Sequence, residues 1–85
     1  MPTSHRGLAE IIAMRVGVKC HYCGCDTSRK VQPSNPTRRT IDHIKPQCEG
    51  GRTNIGNCVI ACFRCNGKRG NNDYRYFMDN RLWER

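Results

Sequence analysis

Two short cysteine pairs, Cys20-His21-Tyr22-Cys23 and Cys62-Phe63-Arg64-Cys65, constrain this chain more than any other feature. A tight C-x-x-C turn brings two sulfurs within reach of one ion. Two such turns supply the four thiolates of a tetrahedral zinc site with no open position, and a closed site of that kind is structural. The 38 residues between the pairs exceed the roughly 15–20 of a simple zinc ribbon. A zinc that joins a knuckle to the start of a helix, with a β-hairpin inserted between, accounts for the longer gap. His21 and Cys25 compete as ligands by position; the spacing favours Cys25 as a spare thiol and His21 as a surface residue. Cys48 and Cys58 have no partner at metal spacing and read as loop or small buried residues.

The metal staple also answers a size problem. The chain has 85 residues and a mean hydropathy of -0.77, enough for one domain over 1–85 but poor material for a self-sufficient core. Seven cysteines would suit a secreted disulfide scaffold, but that number is odd and four of them fall into metal-spaced pairs. The first fifteen residues are interrupted by His5, Arg6 and Glu10, unlike a signal peptide, and no segment has the roughly 20 apolar residues of a membrane span. The expectation is a cytoplasmic protein that keeps its thiols reduced. A net charge of +8, spread from Arg29 and Lys30 to Arg75, is the footprint of a polyanionic partner, although solubility alone also accounts for such a balance.

Periodicity places the elements. Leu8, Ile11, Ile12 and Val16 recur at helical spacing, so a helix is expected over 2–16, with Thr3 or Ser4 as its cap and Gly17 as its end. Residues 19–24 form the first knuckle, and 26–36, with two prolines, read as a loop with poor local order. Strands are expected over 39–44 and 57–61, joined by a polar connection containing Gly50-Gly51. A helix starts at Cys62 with Cys65, Asn66 and Arg69 along one side and Gly70 near its end. A last helix over 73–83 carries Tyr74, Phe77, Met78 and Leu82 at helical spacing, with Asp73 at its N-terminus. Together these define a small α+β fold: a hairpin and a helix stapled by a four-cysteine zinc site, flanked by N- and C-terminal helices.

Asp42-His43 is the candidate chemical centre. A carboxylate oxygen suits Mg²⁺ or Mn²⁺, and a neutral imidazole can take a proton from water near pH 7. On a regular strand the two side chains point to opposite faces, so a bulge or the strand end must bring them to one cleft. The string Cys20-x-x-Cys23, Asp42-His43-Ile44-x-Pro46, Gly50-Gly51, Asn57, Cys62-x-x-Cys65-Asn66-Gly67-Lys68 resembles the zinc-bound HNH endonucleases of the ββα-metal (treble-clef-like) kind, with the motif core in 20–70. The resemblance implies His43 as the general base, Asp42 and Asn66 as ligands of one catalytic Mg²⁺ or Mn²⁺, and Asn57 as the residue that holds the hairpin loop and fixes His43. With Asn66 in the third place the motif reads H-N-N, which leaves one carboxylate and one neutral amide on the cation; Asn71 or Asp73 are the alternative ligands.

The resemblance further implies hydrolysis of DNA to 5′-phosphate and 3′-hydroxyl ends. Arg64, Lys68 and Arg69, on or near the helix that carries Asn66, are the candidate DNA-binding cations. One site cuts one strand, so a double-strand break requires a homodimer or two encounters; a larger phage or host assembly is the other partner class compatible with these residues. Two further readings compete. A non-catalytic zinc-stabilised nucleic-acid-binding module explains the charge and the cysteines, but not why Asp42, His43, Asn57 and Asn66 all fall at nuclease positions. A protein-interaction module has only the exposed-looking Trp83 end in its favour.

Overall fold

The fold is organised by a two-stranded antiparallel hairpin with a layer of structure on each face. The computed structural model describes residues 5–85. It contains α1 (His5–Val16), β1 (Arg39–His43), β2 (Cys58–Cys62), α2 (Phe63–Arg69) and α3 (Tyr74–Asp79), with short 3-10 turns at Gln47–Glu49 and Leu82–Glu84. The strands pair in regular register from Arg39↔Cys62 to His43↔Cys58. The chain is a small α+β fold, and the hairpin runs directly into α2.

Alternation along β2 decides which layer each residue joins. Cys58 and Ile60 turn toward α1 and pack with Leu8, Ile12, Ala13 and Ile41. Ala61 turns the other way and packs with Cys20, Tyr22, Phe77 and Trp83, joined by Cys62 and Cys65 as the chain leaves the strand, Cys62 being the N-cap of α2. Two strands offer only a narrow apolar strip, so one i, i+4 pair of α1 suffices to cover it. Leu8 and Ile12 are buried, whereas Ile11 and Val16, expected on the same apolar face, are 43% and 79% exposed. Gly17 ends the helix as expected, at φ +100° with its N–H bonded to the Ala13 carbonyl. The expected caps Thr3 and Ser4 lie outside the described residues.

The 26–36 segment is more ordered than its composition implies. The Thr27 N–H and hydroxyl both donate to the Val18 carbonyl, Lys19 and Asp26 form an isolated bridge, and the Asn35 side chain accepts from the Thr37 N–H and hydroxyl. The Phe63 and Arg64 N–H groups donate to the Arg38 and Pro36 carbonyls, tying the segment to the start of α2.

The C-terminal helix is shorter than expected. Asp73 caps α3 by accepting from the Tyr76 N–H, but the helix stops at Asp79 and Arg81 takes a left-handed φ of 48°. The cause is Trp83. On a continuous helix it would lie about 120° around the axis from Phe77; the break turns it onto Tyr22 and Phe77, with ring centroids 5.7 and 5.6 Å apart. Trp83 is therefore 7% exposed, and the sign of a protein-partner surface at this end disappears.

Candidate functional site

The first centre is the cysteine cluster. The knuckle of 20–23 turns on Gly24 at φ +78°, with the Gly24 N–H bonded to the Cys20 carbonyl and the His21 N–H to the Ile60 carbonyl of β2. The second pair sits where β2 becomes α2, and Cys62 is the helix N-cap, its sulfur accepting from the Cys65 N–H. The sulfurs of Cys20, Cys23, Cys62 and Cys65 all lie within 4.8 Å of one another, an arrangement that fits a structural tetrahedral zinc. The thiols respond to this crowding. Burial and neighbouring thiols push Cys65 up. Burial pushes Cys62 up as well, against the lowering pull of the Cys65 N–H. For Cys23 burial acts upward but is outweighed by bonds from Cys25, Cys65 and Cys20, which hold it at about 7. Cys25 stands beside the cluster, pushed up to about 12 by burial and by its contacts with Cys23 and Cys62, and is not one of the four. The His21 ring bonds the Tyr74 hydroxyl at 2.6 Å. Cys58 is buried in the other layer and Cys48 is exposed on the loop.

The second centre lies at the loop end of the hairpin, where residues 44–57 join the strands. Asn57 clamps the connection: its amide nitrogen donates to the Lys45 and Arg52 carbonyls, each at 2.9 Å, and its amide oxygen accepts from the Lys45 N–H at 2.9 Å. Its own carbonyl accepts from the Ile44 N–H. The loop is drawn so tight that a Cβ on Gly51 would stand 1.7 Å from the Lys45 carbonyl oxygen. His43, the last residue of β1, is fixed by a 2.9 Å bond between Nε2 and the Thr53 hydroxyl of that same loop.

Asp42 points to the other side of β1, since the register contains no bulge. It is buried, and its Oδ2 accepts from the Tyr22 hydroxyl and from Arg69 Nη1, the latter at 2.6 Å. Arg69 also donates to Tyr22 and to the carbonyls of His43, Ile44 and Asn72. Burial opposes its charge, but the bond and attraction to Asp42 outweigh that and raise its affinity for the proton. The Tyr22 hydroxyl is likewise held protonated, first by burial and then by Asp42. Arg69, expected to grip a flanking phosphate, is thus a buried strut, because the hairpin end has two carbonyls and a carboxylate that need donors, and the turn after α2 adds the Asn72 carbonyl. Arg64 donates to the Trp83 carbonyl at 2.9 Å, and Lys68 is half-buried.

Asn66 lies on the same side of β1 as Asp42. Its nitrogen donates to the Thr40 hydroxyl at 2.8 Å and more weakly to the Ile41 carbonyl, which leaves the amide oxygen as the donor atom for a cation. Asp42 and Asn66, the expected hard-oxygen set, share this side of β1. With Arg69 already on the carboxylate, that set carries little net negative charge. Tyr22 and Arg69, the partners of Asp42, were legible only as an aromatic inside the knuckle and a basic residue three positions after Asn66. Nothing in the sequence marks Thr53 as the partner of His43.

A hairpin whose far end carries Asn57 and His43, stapled by four cysteines to a helix bearing Asn66, defines a zinc-ribbed ββα domain. The profile of the HNH endonuclease family matches residues 20–72, well over half of the chain. The chain belongs to the HNH endonuclease family. No curated protein matches it. Among the described residues, no helix is long and apolar enough to cross a membrane.

Proposed function

We propose that residues 1–85 act as one cytoplasmic, divalent-metal-dependent DNA endonuclease domain, with His43 as general base. The observation that supports this best is the Asn57 clamp, which fixes the loop and, through Thr53, the His43 ring at the end of β1.

In this reading His43 takes a proton from a water molecule, whose oxygen attacks phosphorus. The P–O3′ bond breaks, and the products carry a 5′-phosphate and a 3′-hydroxyl. Thr53 orients the imidazole, and Arg69 holds the Asp42 carboxylate in place. A Mg²⁺ or Mn²⁺ held through Asp42 and Asn66 would supply neutralisation of the charge that develops on the phosphate.

One observation favours the competing reading of a non-catalytic nucleic-acid-binding module: Asp42 is already paired with Arg69, on the face of β1 opposite His43. Relaxation of supercoiled plasmid by zinc-loaded protein separates the two. With Mg²⁺ or Mn²⁺ the nuclease nicks the plasmid, EDTA stops it, and His43→Ala is inactive while keeping its zinc. A wild type that retards plasmid on a gel but cuts it with neither metal is the binding module.

A further inference from the structure

A concave surface of about 820 Å³ opens between α1, the 27–31 segment and β1, with Asn66 on its wall. Its lining carries four cations, Arg29, Lys30, Arg38 and Arg39, against one acid, Glu10. These cations come from two separate stretches of chain and converge on one groove, which a uniformly solvated basic surface does not require. Two of them are fixed in place. Arg39 Nε donates to the Thr27 hydroxyl at 3.3 Å, and Thr27 is itself 2% exposed. Arg38 Nε donates to the Pro33 carbonyl at 2.6 Å, and its guanidinium stacks over Phe63, 4.7 Å from the ring centre. Arg29 and Lys30 are exposed at the rim. The groove takes residues from both faces of β1, Arg39 and Ile41 with the pleat parity of His43 and Thr40 with Asn66 from the Asp42 side. Along the strand its last residue, Ile41, stands about 7 Å from the candidate base.

We infer that this groove is the track for the phosphodiester backbone of the DNA strand flanking the cleaved bond, in place of the α2 surface of Arg64, Lys68 and Arg69. The inference rests on the nuclease reading for its substrate. Ordered cations preset along a groove lose little freedom when they meet phosphates, and each phosphate contact releases condensed counterions. Binding through the groove is therefore sequence-tolerant and strongly salt-dependent.

The test is fluorescence anisotropy of a short labelled duplex with zinc-loaded protein, without Mg²⁺ or Mn²⁺, across a salt series. The double variant Arg29→Gln/Lys30→Gln should lower the slope of log K against log salt by about 2 and weaken binding by about an order of magnitude per lost contact near 0.1 M salt. Arg75→Gln, on α3 outside the groove, should leave both unchanged. Where the double variant loses zinc, the single variants carry the test, each expected to lower the slope by about 1. Unchanged affinity and slope in the groove variants overturn the inference even if the wild type cuts DNA. Loss of binding in those variants, with a wild type that never cuts, overturns the nuclease and leaves the groove standing. Inorganic phosphate that displaces the duplex at concentrations too low to act through ionic strength also overturns it, since the groove would then be a single-anion site.

Discussion

Replacing Arg69 by methionine keeps an unbranched apolar stem and deletes the guanidinium and its charge, and it should bring the domain close to unfolding. The Arg69 and Asp42 side chains are 3% and 9% exposed, so solvent screens the pair little. Removing one partner of a buried pair costs about 3–5 kcal/mol, because the other charge is left uncompensated. A domain of this size has roughly 4–13 kcal/mol in total, at 0.05–0.15 per residue. Three carbonyls of the hairpin end and its neighbour also lose their donor. Trp83, the only tryptophan, sits against Tyr22 and Phe77 and reports unfolding directly. Urea titration followed by its fluorescence, at a fixed excess of zinc because bound metal shifts stability, should show Arg69→Met down by about 3–5 kcal/mol. Adding Asp42→Leu should return more than about 1 kcal/mol of that, since both charges are then gone. A surface phosphate clamp would change stability by only about ±0.5 kcal/mol. That smaller result would refute the strut assignment.

Three further outcomes follow from the same geometry. Chelating the zinc, or Cys65→Ser, should abolish the tertiary fold, since structural zinc contributes about 10–16 kcal/mol, as much as or more than the whole stability of a domain of this size; far-UV circular dichroism that survives chelation intact would contradict this. Zinc binding should expel protons. The unfolded metal-free thiols ionise in the usual range, at about 8.5, so at pH 7 most of the protons of the four cysteines leave as zinc binds. As pH falls below that range more protons compete for the thiolates, and zinc affinity drops steeply. Calorimetric titration in buffers of different ionisation heat reads the proton count, and a buffer-independent heat would be inconsistent with it. Gly51→Ala would place a methyl 1.7 Å from the Lys45 carbonyl oxygen and should cost about 1–3 kcal/mol along with cleavage activity, whereas Gly56→Ala, 3.4 Å from the Asn54 side chain, should be mild by thermal unfolding.

The parts of the fold legible from sequence are those dictated by local chemistry. Paired cysteines specify a metal knuckle wherever they stand, the strands expected over 39–44 and 57–61 form at Arg39–His43 and Cys58–Cys62, and Gly70 ends α2 at the expected place. What sequence hid are consequences of distance. Arg69 reads as a surface cation until the fold shows that the hairpin end needs its donors. Trp83 reads as exposed until a left-handed residue at Arg81 turns it inward, and the 26–36 segment reads as loose until its backbone partners on Val18 and on α2 are known. The order of Asp42, His43, Asn57 and Asn66 was visible at once, but local pattern could not tell that a regular register sends Asp42 and His43 to opposite faces, with an arginine already on the acid.

The most direct test of the account is chemical rescue of the base. Single-turnover cleavage of a labelled duplex with Mn²⁺ is measured for wild type and for His43→Ala, with and without added imidazole. General-base catalysis by a positioned histidine contributes about 10²–10⁴-fold, so the variant should be slower by that factor. Imidazole should restore part of the rate, with a pH dependence set by the added base. A variant that cuts within tenfold of wild type, or one whose lost activity imidazole leaves unchanged while its zinc and DNA binding are intact, would contradict the assignment of His43 as the base.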